Sequence, residues 1–228
     1  MSLKTPTTLR PQLTGLYTIA DTQYLDDARL LPAVGEAIAG GARIVQYRDK
    51  KHGAADRARQ ASELASLCRK HGALFIINDD VDLAKQVQAA GVHLGLEDAS
   101  IEQARAQLGP QPIIGVSCYN DLARAMRAQT EGADYVAFGS FFSSRTKPQA
   151  VRAGLELLCE AKQILRIPVV AIGGITHENG VHLLAAGADA LAVIEGVFGQ
   201  VDIRAAAQRF ARLFTKPDDT GLTGFKQD

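Results

Sequence analysis

Short apolar runs recur along this chain, and each one ends in a polar or glycine-rich turn before a helix-like segment. The ends fall at Asp21, Arg48, Asn78, Gly95, Ser117, Gly139, Gly173 and Glu195, spaced 17 to 34 residues apart. Each interval has room for one strand and one helix. Runs such as Leu74-Phe75-Ile76-Ile77 and Ala190-Leu191-Ala192-Val193-Ile194 are apolar throughout. A strand of that kind is buried on both faces, as in a parallel sheet covered by helices. Eight such units in 228 residues predict an α/β fold of the (β/α)8 barrel type. A doubly wound open sheet is the alternative, but no Gly-x-Gly-x-x-Gly follows the first strand.

No linker divides the chain, so the barrel is placed over residues 15–214 as one domain. Residues 1–14 read as a polar, Pro-containing lead-in, and residues 215–228 as a mobile tail rich in Gly, Pro and charge. Helix starts are expected at Asp26 or Asp27, at Ser100 and at Asn120, whose side chains can accept from free N–H groups of a first turn. A short helix is expected over 179–186.

Composition excludes several function classes. Lys+Arg and Asp+Glu are both 25, so no basic excess points to nucleic acid or an anionic membrane. Trp is absent and aromatics are 6%, leaving little for stacking on bases. No apolar run approaches a membrane span. The three cysteines, Cys68, Cys118 and Cys159, are far apart. That argues against a disulfide framework or a cysteine zinc site and suits the reducing cytoplasm. Homo-oligomerisation is left open.

In a barrel, the C-terminal strand ends form one mouth, where chemistry is built. After the second strand come Gln46, Arg48 and Lys50 at alternate positions, which share one face of an extended chain. A guanidinium and an ammonium there suit phosphate oxygens. Asp79 and Asp98 end neighbouring strands and suit Mg²⁺, which takes few protein carboxylates. The longest loop, Ser140–Ala150, carries Ser143-Ser144-Arg145-Thr146-Lys147 and is expected to clasp a phosphate as a lid. Gly173-Gly174 lets backbone approach a ligand closely. Each feature also has a purely structural reading: solvated charges, a carboxylate cap or a tight turn. Ser117 reads as a hydrogen-bonding positioner, since no histidine is evidently paired with it, and His93 as a packed strand residue. His177 and His182 lie five apart, off one helical face, so they form no zinc pair.

Taken together in order and spacing, Gln46-Tyr47-Arg48-Asp49-Lys50, Ile77-Asn78-Asp79-Asp80, Gly91 to Asp98, Gly115-Val116-Ser117, Thr146-Lys147-Pro148 and Ala171 to Ile175 resemble bacterial thiamine phosphate synthases, over Leu16 to Gly199. The resemblance implies a barrel that joins a hydroxymethylpyrimidine diphosphate to a thiazole phosphate, carboxylated or not, and releases pyrophosphate with Mg²⁺. It implies that Gln46, Tyr47, Arg48, Asp49, Lys50, Asn78, Ser117 and Lys147 hold the diphosphate substrate. Of these, Arg48, Lys50, Ser117 and Lys147 would act in catalysis, and Asp79 and Asp98 would hold the metal. Ser144, Arg145, Thr146, Gly174, Ile194 and Glu195 would form the thiazole-phosphate site. Two positions depart from the pattern: Leu96 stands where the family often has Gln, and Glu195 where many members have Ser. A related barrel that only tautomerises the thiazole phosphate, or a silent ligand-binding barrel, is the competing reading. The retained Arg48, Lys50, Asp79, Asp98 and Lys147 favour the synthase.

Overall fold

The computed structural model describes residues 13–143 and 152–215. The expected lead-in and tail lie almost wholly outside the described residues. So do most of the expected lid and with it Ser144, Arg145, Thr146 and Lys147.

Eight parallel strands close into a barrel in chain order. They are β1 (Gly15–Asp21), β2 (Ile44–Arg48), β3 (Leu74–Asn78), β4 (Gly91–Leu94), β5 (Ile113–Tyr119), β6 (Tyr135–Phe138), β7 (Val169–Ile172) and β8 (Ala190–Val193). The helices are α1 (Asp27–Ala39), α2 (Ala54–His71), α3 (Val81–Gln86), α4 (Ile101–Leu108), α5 (Leu122–Thr130), α6 (Leu155–Ile164), α7 (His177–Ala185), α8 (Glu195–Phe198) and α9 (Ile203–Arg212).

The period of two along each strand sorts the side chains into two cores. Leu16, Val45, Phe75, Ile77, Val92 and Ile114 face outward against the helices. Tyr17, Ile19, Ile44, Ile76, Ile113 and Tyr135 face the barrel interior. Burying each large apolar side chain contributes about 1.5–3 kcal/mol, and the outer layer supplies most of them. Gln46 and Arg48 continue the inward parity of Ile44, so they rise from the barrel floor to its mouth. At the opposite end, ion pairs tie the loops before the strands. Arg105 holds Asp134 at 2.8 Å, and Asp134 accepts the Ile114 N–H. Lys162 holds Asp189, which accepts the Val169 N–H.

Three local expectations change. The α5 cap is Asp121, which accepts the Arg124 N–H, and not Asn120. Helix α7 opens at His177 under a Thr176 cap, and Asn179 is the third residue of that capping box. Asn120 or Asp121, and Thr176 or Asn179, can each accept a first-turn N–H, and the path of the chain into the helix selects between them. The third change is α8, a single turn after β8 where only a strand end was expected.

Candidate active site

A cavity of about 760 Å³ opens at the C-terminal ends of the strands. Inward residues of every strand contribute to its wall, among them Asp21, Gln46, Arg48, Asn78, His93, Ser117, Gly173, Gly174, Ile194 and Glu195. Of the expected site residues within the described chain, Gln46, Arg48, Asn78, Ser117, Gly174, Ile194 and Glu195 line this cavity, while Lys50, Asp79 and Asp98 are not among its lining residues.

Tyr47 and Asp49 are turned away from the cavity. Opposite parity puts the Tyr47 ring in the outer core. The Asp49 carboxylate is buried beneath its own loop. It accepts from Thr22 Oγ1 at 2.7 Å, Tyr47 OH at 2.9 Å, Lys51 N at 2.8 Å, His52 N at 3.1 Å and His52 Nδ1 at 3.0 Å. Burial alone would raise its pKa, but these hydrogen bonds reverse the sign and hold it well below the usual carboxylate range. Tyr47 has one hydroxyl proton for two acceptors, Asp49 and Gln60 Oε1, while Gln60 Nε2 is buried with no partner among the described residues. A half-turn of the Gln60 amide satisfies that nitrogen and leaves Tyr47 to donate to Asp49. Asp49 thus shapes the loop that carries Arg48 and Lys50.

Those two cations are ion-paired. Arg48 Nη1 lies 2.7 Å from Asp21 Oδ2, and Lys50 Nζ lies 2.6 Å from Asp79 Oδ2. Asp21 is buried and is further held by the Gln23 N–H at 2.9 Å. The Lys50 pair is accessible and contributes at most about 1 kcal/mol, so a polyanion can draw Lys50 to itself, whereas the more buried Asp21 holds Arg48 in place at the cavity wall.

The sequence left open whether Asp79 is a helix cap. Asp80 takes that role at α3, accepting the Leu83 N–H at 2.9 Å and pairing with Arg57. Asp79 sits in the left-handed region at φ 67°, its N–H bonded to His93 O at 2.8 Å. That conformation is sparsely populated outside glycine, though Asp tolerates it better than most residues. It turns the carboxylate toward Asp98, which accepts the Gly95 N–H at 2.6 Å. Burial first, then the hydrogen bond and charge of Asp79, raise the Asp98 carboxyl above its ordinary value. Two carboxylates forced together are a hard-oxygen donor set. Among the described residues no group of three or more His, Cys, Asp or Glu could hold a metal ion. A pair of carboxylates open to water and phosphate oxygens fits Mg²⁺ and does not fit an all-protein cage.

Ser117 corrects one expectation. It lies inside β5, which runs on to Tyr119, and a histidine is paired with it. His93 Nε2 is 2.8 Å from Ser117 Oγ, and His93 Nδ1 is 2.8 Å from Tyr135 OH. The ring also stacks on Tyr135, with centroids 5.5 Å apart. Tyr135 OH meets Tyr17 OH at 2.8 Å, and Gln46 Nε2 donates to Tyr17 OH at 2.7 Å. Burial pushes the His93 pKa down to about 4, with the Asp98 charge opposing, so the ring is neutral near pH 7. The signal in the sequence was strand parity: Tyr17, His93, Ser117 and Tyr135 all fall at inward positions. Which of them touch depends on the stagger between strands.

On the far wall, Gly174 has φ 61°. A Cβ there would lie 2.3 Å from Ser143 O and 2.8 Å from the Phe142 carbonyl carbon. Its glycine therefore lets the loop after β6 lie against the turn after β7, a contact closed by Phe142 N donating to Gly173 O at 3.0 Å. Ile194 precedes α8 and Glu195 begins it. The turns after β7 and β8, on neighbouring strands, thus share one side of the cavity.

A family model described as thiamine monophosphate synthase matches residues 16–197. The thiamine-phosphate synthase of Nitrosococcus oceani is 52% identical over 200 residues, covering 88% of this chain and 92% of its own. That of Thiobacillus denitrificans is 54% identical over 200 residues, covering 88% and 94%. The solved structure of thiamine phosphate pyrophosphorylase from Pyrococcus furiosus matches with a TM-score of 0.80 at 38% identity, over 88% of this chain and 95% of that one. The sequence motifs and the barrel agree with these similarities, and the chain belongs to the thiamine monophosphate synthase family.

Proposed function

We propose that the protein is a thiamine-phosphate synthase, a transferase that joins hydroxymethylpyrimidine diphosphate to thiazole phosphate and releases pyrophosphate. The observation that carries this reading is the gathering of charges where β2, β3 and β4 end: Arg48, which lines the cavity, and the linked group Lys50, Asp79 and Asp98 in the loops that follow. The carbon that loses pyrophosphate is attached to an electron-rich aminopyrimidine, so it can bear positive charge as the bond breaks. What needs stabilising is the negative charge that grows on the departing oxygens. Arg48 and Lys50 supply fixed cations for it, with Lys147 added from the family pattern. When bound by Asp79 and Asp98, Mg²⁺ supplies charge neutralisation on the diphosphate.

Gln46, Asn78 and Ser117 line the floor and wall beneath those cations and orient the pyrimidine. The thiazole phosphate is assigned to the turns at Gly174 and Ile194-Glu195, with Ser144, Arg145 and Thr146. Held there by its phosphate, the thiazole nitrogen attacks the cationic carbon without a covalent enzyme intermediate. We place the protein in the cytoplasm, a setting that suits its three free thiols. Among the described residues, no helix is long and apolar enough to cross a membrane.

The test is pyrophosphate release by the purified protein with Mg²⁺ and both substrates, and with each substrate omitted. Release that needs the pyrimidine diphosphate and yields thiamine phosphate only when both are present is expected. No release with both substrates would overturn the reading. Tautomerisation of thiazole phosphate alone would move the assignment to the competing barrel.

A further inference from the structure

Five side chains form one hydrogen-bonded line across the barrel floor, from Gln46 through Tyr17, Tyr135 and His93 to Ser117. The line has a direction. Gln46 Nε2 can only donate, so Tyr17 OH accepts from it. Tyr17 then has one proton to place. Its hydroxyl is buried, and its only other partner among the described residues is Tyr135 OH at 2.8 Å. Tyr17 therefore donates to Tyr135. The proton of Tyr135, also buried, has one remaining acceptor, His93 Nδ1 at 2.8 Å. With Nδ1 accepting, the neutral ring carries its proton on Nε2, which donates to Ser117 Oγ at 2.8 Å. Ser117 accepts from the floor, and its own proton is left for the cavity that it lines. The reverse direction requires the Gln46 amide to be turned so that Oε1 accepts from Tyr17; with Nε2 toward Tyr17 OH, the line runs toward Ser117.

We propose that Tyr17, Tyr135 and His93 are positioning residues that orient the Ser117 hydroxyl as a fixed donor to an acceptor atom of the pyrimidine diphosphate. The functional half of this inference rests on the synthase reading. The tautomer half stands on the floor geometry alone. One chemical consequence is immediate: a His93 that already carries a proton on Nε2 cannot take one from Ser117. The pair is therefore not a nucleophile with its base, despite its 2.8 Å separation.

Two measurements test the inference. The first is NMR of the full chain labelled with ¹⁵N in its imidazoles, without ligands, with the His93 signals identified by their loss in His93→Gln. The expected result is an Nε2-protonated ring in the wild type and a mixture of both tautomers in Tyr135→Phe. Tyr17→Phe removes the donor one step further back, should relax the tautomer in the same way, and keeps the test open if Tyr135→Phe does not fold. A wild-type His93 protonated on Nδ1 would overturn the proposal. The second is a double-mutant cycle on kcat/KM with Tyr135→Phe and Ser117→Ala. One misdirected hydrogen bond should cost about tenfold. The double variant should be no slower than Ser117→Ala alone, because Tyr135 acts through Ser117. Effects that multiply would show a general packing defect and overturn the positioning role. If the wild type releases no pyrophosphate at all, the synthase reading fails while the tautomer measurement still decides the direction of the line.

Discussion

Replacing Asp49 should damage both stability and substrate binding, although its carboxylate does not reach the cavity. Five donors converge on it, two of them the hydroxyls of the buried residues Thr22 and Tyr47. Hydrogen bonds to a charged group contribute about 1.5–3 kcal/mol each. The two backbone N–H groups can turn to water once the carboxylate is gone, so the loss rests on the three side-chain donors. Even at the low end for each, Asp49→Ala should then cost about 4.5 kcal/mol, or roughly 9–18 °C in Tm for a domain of this size. Asp49→Asn keeps the volume and one acceptor and should lose about half as much.

The pH dependence has a definite sign. The folded carboxyl lies below the ordinary value of 3.8, so its contribution is fully present above that value and is lost as pH falls below it. The Tm gap between wild type and Asp49→Asn should be flat from about pH 8 to about pH 5 and narrow below about pH 4. Arg48 and Lys50 flank Asp49, so the KM for pyrimidine diphosphate should rise several-fold in the same variants at pH 8. The assays are thermal melts across pH and steady-state titrations. An Asp49→Ala protein melting within about 2 °C of wild type would refute the argument that these hydrogen bonds hold the loop.

Other consequences follow from single contacts. Gly174→Ala should destabilise by about 1–3 kcal/mol, since Ala must adopt φ 61° with its Cβ 2.3 Å from Ser143 O, and the KM for thiazole phosphate should rise with it; an unchanged melt would count against the packing. Asp79→Ala and Asp98→Ala should each lower turnover by about 100-fold and reduce the heat of Mg²⁺ binding in the presence of pyrophosphate, and calorimetric curves matching wild type would sink the metal assignment. Glu195→Ser should change the KM for thiazole phosphate only a few-fold, because a carboxylate beside a phosphate is repelled and should point away from it; a large gain in affinity would place the carboxylate against the phosphate.

The barrel was legible because its signal is local and repeated. A fully apolar run such as Leu74 to Ile77 has to be buried on both faces, and eight of them with helices between leave few architectures. Parity along β2 likewise put Gln46 and Arg48 on one face before any contact was known, and the same rule could have sent Tyr47 to the other. Tertiary structure decided what depends on stagger and closure. Asn78 pairs with His93 across β3 and β4, and Ser117 with Ala137 across β5 and β6, registers that no single strand encodes. The β4/β5 register, with His93 opposite Gly115, helps set His93 against Ser117 and Tyr135, and the β1/β2 register sets Arg48 beside Asp21, 27 residues away in sequence. The choice between Asp79 and Asp80 as the α3 cap is of the same kind. Both can accept a first-turn N–H, and the left-handed turn at Asp79 sends one carboxylate to the helix and the other to the mouth. Short-range pattern is written in each residue's hydropathy. The pairing of polar groups is written in distances between strands, which exist only once the barrel has closed.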